Sequence, residues 1–118
     1  MNRKIVVYIA SAYTKGDIAV NVKRQIDVAD ELMNLGYCPI VPLMSHFQHL
    51  VHPRPYEDWV WVDNELVLRS DIILRIPSES KGADAEVELA LENNIPVVYS
   101  IKELNELVKK DFQNENFL

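Results

Sequence analysis

Ile72–Glu88 reads IILRIPSESKGADAEVE, and the reading of this stretch decides the fold. Ile72, Ile73, Leu74 and Ile76 have strand character, interrupted by Arg75. Pro77 and a serine-rich turn follow, and Gly82 leads into a carboxylate-rich helix start. A strand, a loop and a helix N-terminus thus succeed one another. In a parallel α/β sheet such a loop lies at the carboxyl end of its strand. There backbone N–H groups and the positive end of the helix dipole face solvent and can hold an anion. Binding sites of open α/β sheets commonly form at that edge.

Working outward, Lys4–Ala10 carries apolar side chains on both alternating sets, the pattern of a strand covered on both faces. Asp17 can cap a helix on which Val22, Ile26, Ala29 and Met33 recur at helical spacing, and Gly36 closes it. Cys38–Pro42 is a second short strand, with Pro39 at a sheet edge or strand start. Leu43–Pro55 has no clean period and contains His46, His49 and His52. It reads as a long loop with room for a helical turn, a length often used for lids or binding segments. Tyr56–Arg69 is helical, with Trp59, Val62, Leu66 and Val67 on one apolar face and Asp63 one residue off it. Asp71–Ile76 is the third strand. Gly82–Asn93 is the next helix, with Ala83, Val87, Ala90 and Leu91 towards the sheet. Ile95–Tyr99 is the fourth strand, Lys102–Lys110 the last helix, and a polar, frayed tail is expected from Gln113.

Strands alternating with helices imply parallel pairing and right-handed crossovers. The expected fold is α/β: a flavodoxin-like, doubly wound parallel sheet of four to five strands, order 2-1-3-4, flanked by helices. In that order the loops after the first and third strands lie side by side at the topological switch point. Tyr8–Thr14 and Pro77–Glu86 should therefore wall one pocket.

With 118 residues, the length prior gives a single domain, 1–118. A composition 48% hydrophobic and 25% charged fits a soluble globular chain. The formal net charge of -6, with no basic run, disfavours polymeric nucleic acid and membrane surfaces as partners and leaves a small molecule. Cys38 is the only cysteine, which excludes an intramolecular disulfide and leaves nothing like a structural zinc site. A reducing cytoplasm is the simplest compartment. The start, MNRKIVVYIASA, reads as a first strand rather than a leader, and no run approaches the roughly 20 apolar residues of a membrane span.

Several residue types invite chemistry. Glu86, four residues after Gly82, is expected near a first helical turn, where the dipole favours an ionised nucleophile or base. Asp84 and Glu88 could serve equally. Ser78, Ser80 and Gly82 form a short loop of the kind that cradles anions, without the spaced glycines of a Walker loop. Asp63, beside a buried helix face, needs a partner or a pocket. Asp71 reads as structural, ending a helix or opening a strand. The three histidines lack a second ligand cluster, so solvated imidazoles on an exposed lid are favoured over a metal site. Trp59 and Trp61 face opposite sides of their helix; one suits the core, the other a pocket or a subunit contact.

IVVYIASAYT near the start and WVWVDNELVLRSDIILRIPSESKGADAEVELALENNIPVVYS further on resemble the nucleoside 2-deoxyribosyltransferase superfamily, including its nucleotide N-glycoside hydrolase branch and short relatives. The resemblance implies that the Glu86 carboxylate attacks C1′ of the sugar, that Asp63 positions the base or moves its proton, and that Tyr8 orients Glu86. Ser80 falls where the transferases have an aspartate and the 5′-monophosphate hydrolases a phosphate-contacting serine. Ser11 adjoins a further serine position of the hydrolases, which Ala12 takes. With Ser78 and Gly82 these serines make up the expected substrate-binding set. Glu88 stands where the family usually has glycine, a second charge for the pocket or for solvent. The implied activity is N-glycosidic cleavage of a nucleoside or its 5′-monophosphate, by hydrolysis or deoxyribosyl transfer. A catalytically silent nucleotide-binding module is the alternative. The chemistry requires no metal or organic cofactor, and a homo-oligomer is expected to close a shallow pocket.

Overall fold

The computed structural model describes residues 3–112; the tail expected from Gln113 lies outside them. Along the chain run β1 (Val6–Ala10), α1 (Ile18–Asn34), β2 (Cys38–Ile40), a 3₁₀ turn (Pro42–Met44) and α2 (Ser45–Val51). Then come α3 (Tyr56–Leu68), β3 (Ile72–Arg75), α4 (Lys81–Glu92), β4 (Val97–Val98) and α5 (Ile101–Asp111). The strands form one parallel sheet of order β2-β1-β3-β4, the flavodoxin-like arrangement expected, with four strands.

Strand parity sorts the core into two layers. Val7 and Ile9 of β1 pair with Ile72 and Leu74 of β3 and meet Ala29 and Leu32 of α1 and Leu104 and Val108 of α5. The intervening residues, Tyr8, Ala10 and Ile73, point to the other face, against Val67 of α3 and Ala83 and Ala90 of α4. Because strand side chains alternate with period two, Tyr8 can only face the α3–α4 layer. That is where the two candidate carboxylates lie.

Asp71 ties the sheet at the opposite end. Its carboxylate accepts from the Val6 N–H at 2.8 Å and from both Arg3 guanidinium nitrogens at 2.7 and 2.6 Å. Burial alone would raise its pKa, but the Arg3 and Val6 hydrogen bonds outweigh burial and hold the carboxyl below its ordinary value. The structural role expected for Asp71 is thus present. Gly36 closes α1 with φ +92, which lets Tyr37 N–H reach back to Leu32 O at 3.0 Å.

Three sequence expectations need correction. The buried line of α1 runs through Asn21, Val22, Gln25, Ala29 and Leu32, whereas Ile26 and Met33 are exposed. Two buried polar side chains take part in that line because each binds loop groups, which apolar periodicity does not register. Leu91 of α4 is exposed. The small Ala83 and Ala90, two turns apart, bring the helix close to the sheet, and Leu91 lies about 100° round from Ala90. The segment Leu43–Pro55 is not a long loop; most of it is the 3₁₀ turn and α2. Among the described residues no helix is long and apolar enough to cross a membrane.

Candidate active site

A cavity of about 730 Å³ opens at the carboxyl ends of β1 and β3, between the β1–α1 loop, the 3₁₀ turn with α2, and helices α3 and α4. Its lining includes Ser11, Asp63, Ser80, Gly82 and Glu86. The two loops expected to share a pocket do so. Tyr8 lies behind this lining, fully buried, and its hydroxyl donates to Glu86 Oε2. Burial first, then the neighbouring charges of Glu86 and Asp63, pushes the Tyr8 pKa far up, so the phenol stays protonated and serves only as a donor towards Glu86.

Helix α4 begins at Lys81, which puts Glu86 in the second turn rather than near the first. Dipole stabilisation fades beyond the first turn, and burial prevails. Burial pushes the Glu86 carboxyl up to about 7; the Tyr8 hydrogen bond and the Arg75 charge oppose that rise, while the charge of Asp63 adds to it. The expectation of a dipole-stabilised carboxylate is therefore corrected. Asp63 is also raised to about 7, by burial, and its carboxylate makes no hydrogen bond to the described residues. Helical geometry turns Glu86 away from Asp84 and Glu88, since residues two apart differ by about 200° around the axis. Glu86 turns to the cavity, Asp84 turns to Arg75 at 3.0 Å, and Glu88 is exposed.

The serines divide. Ser80 caps α4, its Oγ accepting from the Ala83 N–H at 3.0 Å, and still lines the cavity. Ser11 lines the cavity with its Oγ accepting from Gln25 Nε2 at 2.9 Å. Ser78 stands apart: its Oγ accepts from the Ala12 N–H at 3.0 Å and from Arg75 at 3.1 Å, so it joins the two loops. It borders a separate depression of about 370 Å³, where Arg75, Asp84 and Tyr99 are its neighbours. Gly82 lies under Tyr56, whose hydroxyl would sit 3.3 Å from an added Cβ.

Two residues that sequence reading missed hold the site in place. Arg75 is almost fully buried within β3 and binds Ile76 O, Ser78 O, Ser78 Oγ and Asp84, fixing the loop that follows. An arginine flanked by Leu74 and Ile76 was the available signal, because a charge in a buried strand requires partners. Gln25 is fully buried; it donates to Ile9 O at 3.1 Å and to Ser11 Oγ, and accepts from the Leu43 N–H at 3.2 Å. It thereby links α1, the end of β1 and the 3₁₀ turn. Gln25→Leu, which strands the Leu43 N–H and the Ile9 carbonyl in the interior, is expected to cost about 2–3 kcal/mol. Urea unfolding checks this: the midpoint should fall with the m-value unchanged, and an unaltered midpoint would show that the link contributes nothing.

The roof of the cavity is α2, and its histidines are not the solvated imidazoles expected. His46 Nδ1 meets the Tyr13 hydroxyl at 2.7 Å. His49 Nδ1 lies 3.0 Å from Trp59 Nε1 and 3.3 Å from the Arg54 backbone nitrogen. Both rings are half-buried and line the cavity, while His52 is exposed. Trp59 is thus the tryptophan of the pocket, and Trp61 is exposed. Among the described residues no group of three or more His, Cys, Asp or Glu side chains is placed to hold a metal ion. Comparison of the chain with protein-family models, curated proteins and solved structures finds no match.

Proposed function

We propose that the chain cleaves the N-glycosidic bond of a nucleoside or nucleoside 5′-monophosphate, with Glu86 as the nucleophile at C1′ and Asp63 as the acid that protonates the departing base. The observation that carries this reading is the Glu86 carboxylate itself. One oxygen is fixed by the Tyr8 hydroxyl, the other has no partner among the described residues, and the group shares its cavity with an equally desolvated Asp63. Glycosidic cleavage passes through an oxocarbenium-like state, which calls for one ionised and one protonated carboxyl group. Their environments support that division. The Tyr8 hydrogen bond and the Arg75 charge favour ionised Glu86, whereas burial is the influence on Asp63 and favours its protonated form. Attack by Glu86 forms the C1′–O bond as the C1′–N bond breaks, and the base leaves with the Asp63 proton. Water then releases the sugar, or a second base accepts it.

Ser11, Ser80, Gly82 and the α4 N-terminus border the same cavity and supply the polar groups for sugar and phosphate. A homo-oligomer belongs to the same proposal, supported by exposed Phe47, Leu50 and Val51 on α2 and Trp61 on α3.

The test is base release from ribo- and deoxyribonucleosides and their 5′-monophosphates, with and without a free acceptor base, over a range of protein concentrations. Release is expected from at least one substrate, with activity per chain falling on dilution as the oligomer dissociates. Dependence on an acceptor base separates transfer from hydrolysis. Saturable nucleotide binding without any release would replace the enzyme by a silent binding module.

A further inference from the structure

Trp59 and His49 carry a relationship that the proposed chemistry leaves unused. An indole N–H and a backbone N–H are donors only. Both approach the same imidazole nitrogen, so His49 Nδ1 must present its lone pair, and the ring proton of neutral His49 resides on Nε2. The rings meet edge-on, with centroids 5.8 Å apart and planes at 75°, which fixes orientation as well as tautomer. Nε2 makes no hydrogen bond to the described residues, and the ring lines the cavity. Trp59 also precedes Asp63 by one helical turn on α3, so both occupy one face of that helix and both line the cavity. His49 therefore stands on the Asp63 side of the cavity.

We infer that His49 is a positioning residue for the base, locked by Trp59 as an Nε2–H donor to a carbonyl oxygen or ring nitrogen of the departing heterocycle. The inference rests on the glycosidase reading and deepens it: a base lacking an acceptor at that position binds less well. Trp59 acts through His49, by setting which nitrogen carries the proton. The half-buried roof gives the bond its value, because a polar hydrogen facing a partly desolvated site without an acceptor is costly.

Imidazole ¹H–¹⁵N correlation spectra of the wild-type protein test the tautomer directly. His49 should show an unprotonated Nδ1 and a protonated Nε2, and Trp59→Phe, which leaves only the longer contact from the Arg54 N–H, should raise the share of the Nδ1-protonated form. Free purine and pyrimidine bases, and 2-deoxyribose 5-phosphate, are then titrated in separately. The Nε2 resonance should move with at least one base and stay in place with the sugar phosphate. A protonated Nδ1, no response to any base, or an equal response to 2-deoxyribose 5-phosphate overturns the assignment. These spectra need no turnover, so they stand even if base release fails.

A pair of variants adds a kinetic reading. The His49→Gln amide nitrogen can occupy the Nε2 position, whereas His49→Asn reaches only as far as Nδ1. His49→Asn should lose about 10-fold in kcat/KM, mostly through KM, and His49→Gln should recover most of it. Equal losses in both variants would leave His49 a structural residue of the roof.

Discussion

Glu86→Gln is expected to abolish base release and, at pH 8, to make the folded protein more stable. The first effect follows from chemistry: an amide oxygen retains the size of the carboxylate and can accept from Tyr8, but it cannot form the glycosyl ester. Removal of a covalent nucleophile costs on the order of 10⁴-fold or more in kcat. The second effect follows from the raised Glu86 pKa. Its folded value of about 7 exceeds the ordinary 4.5, so its contribution to stability is fully present below about 4.5 and is lost as pH rises through 7. At pH 8 the wild type thus holds a charge that folding has partly stripped of water. Neutral Gln removes that burden, worth on the order of 2 kcal/mol after allowance for solvent in the open cavity. Thermal unfolding at pH 8 and pH 5 reads it out, with the variant several degrees higher at pH 8 and the gap closing by pH 5. A variant less stable than wild type at pH 8 would mean that the carboxylate is solvated, and the assigned environment would be wrong.

The trade between stability and chemistry explains which parts of this protein are legible in its sequence. Lys4–Ala10 and Ile72–Ile76 declare themselves because strands buried on both faces need apolar side chains at every position. Their order then brings the loops after β1 and β3 together, as expected. Asp71 was also readable, since a carboxylate at a strand entrance requires donors, and Val6 and Arg3 supply them. The rest depends on tertiary contacts that carry no period. Gln25 and Arg75 break the apolar patterns of α1 and β3 because their role is to satisfy loop carbonyls, hydroxyls and N–H groups. Helix α2 has no fully buried residue, so its sequence lacks an amphipathic signature and reads as a loop. Hydrogen bonds with Tyr13 and Trp59 fix it from outside. For Glu86 the sequence placed the residue at the pocket, where it lies, but did not reveal its charge state. Glu86 lies in the second turn of α4, where the dipole has faded, and desolvation takes over.

Asp63→Asn should separate the two carboxylates by their pH profiles. With Glu86 ionised and Asp63 protonated in the active form, wild-type kcat/KM is expected to be a bell with its maximum near 7, since both groups are raised to about 7. The acid limb reports protonation of the nucleophile, and the alkaline limb reports loss of the proton destined for the base. Asn cannot supply that proton, so the rate at pH 7 should fall about 10²–10³-fold, the usual worth of a positioned general acid. The alkaline limb should disappear from what remains. The acid limb should stay close to its place, because Asp63 is protonated, and so uncharged, over the range in which Glu86 loses its proton. The loss should be smallest for substrates whose bases leave readily without protonation, since they ask least of the acid. If Asp63→Asn instead retains the alkaline limb, another group holds the departing base's proton, and Asp63 is left as an electrostatic neighbour that tunes Glu86. The two outcomes differ in the limb that vanishes, not in the size of the loss, so partial unfolding of the variant cannot imitate either.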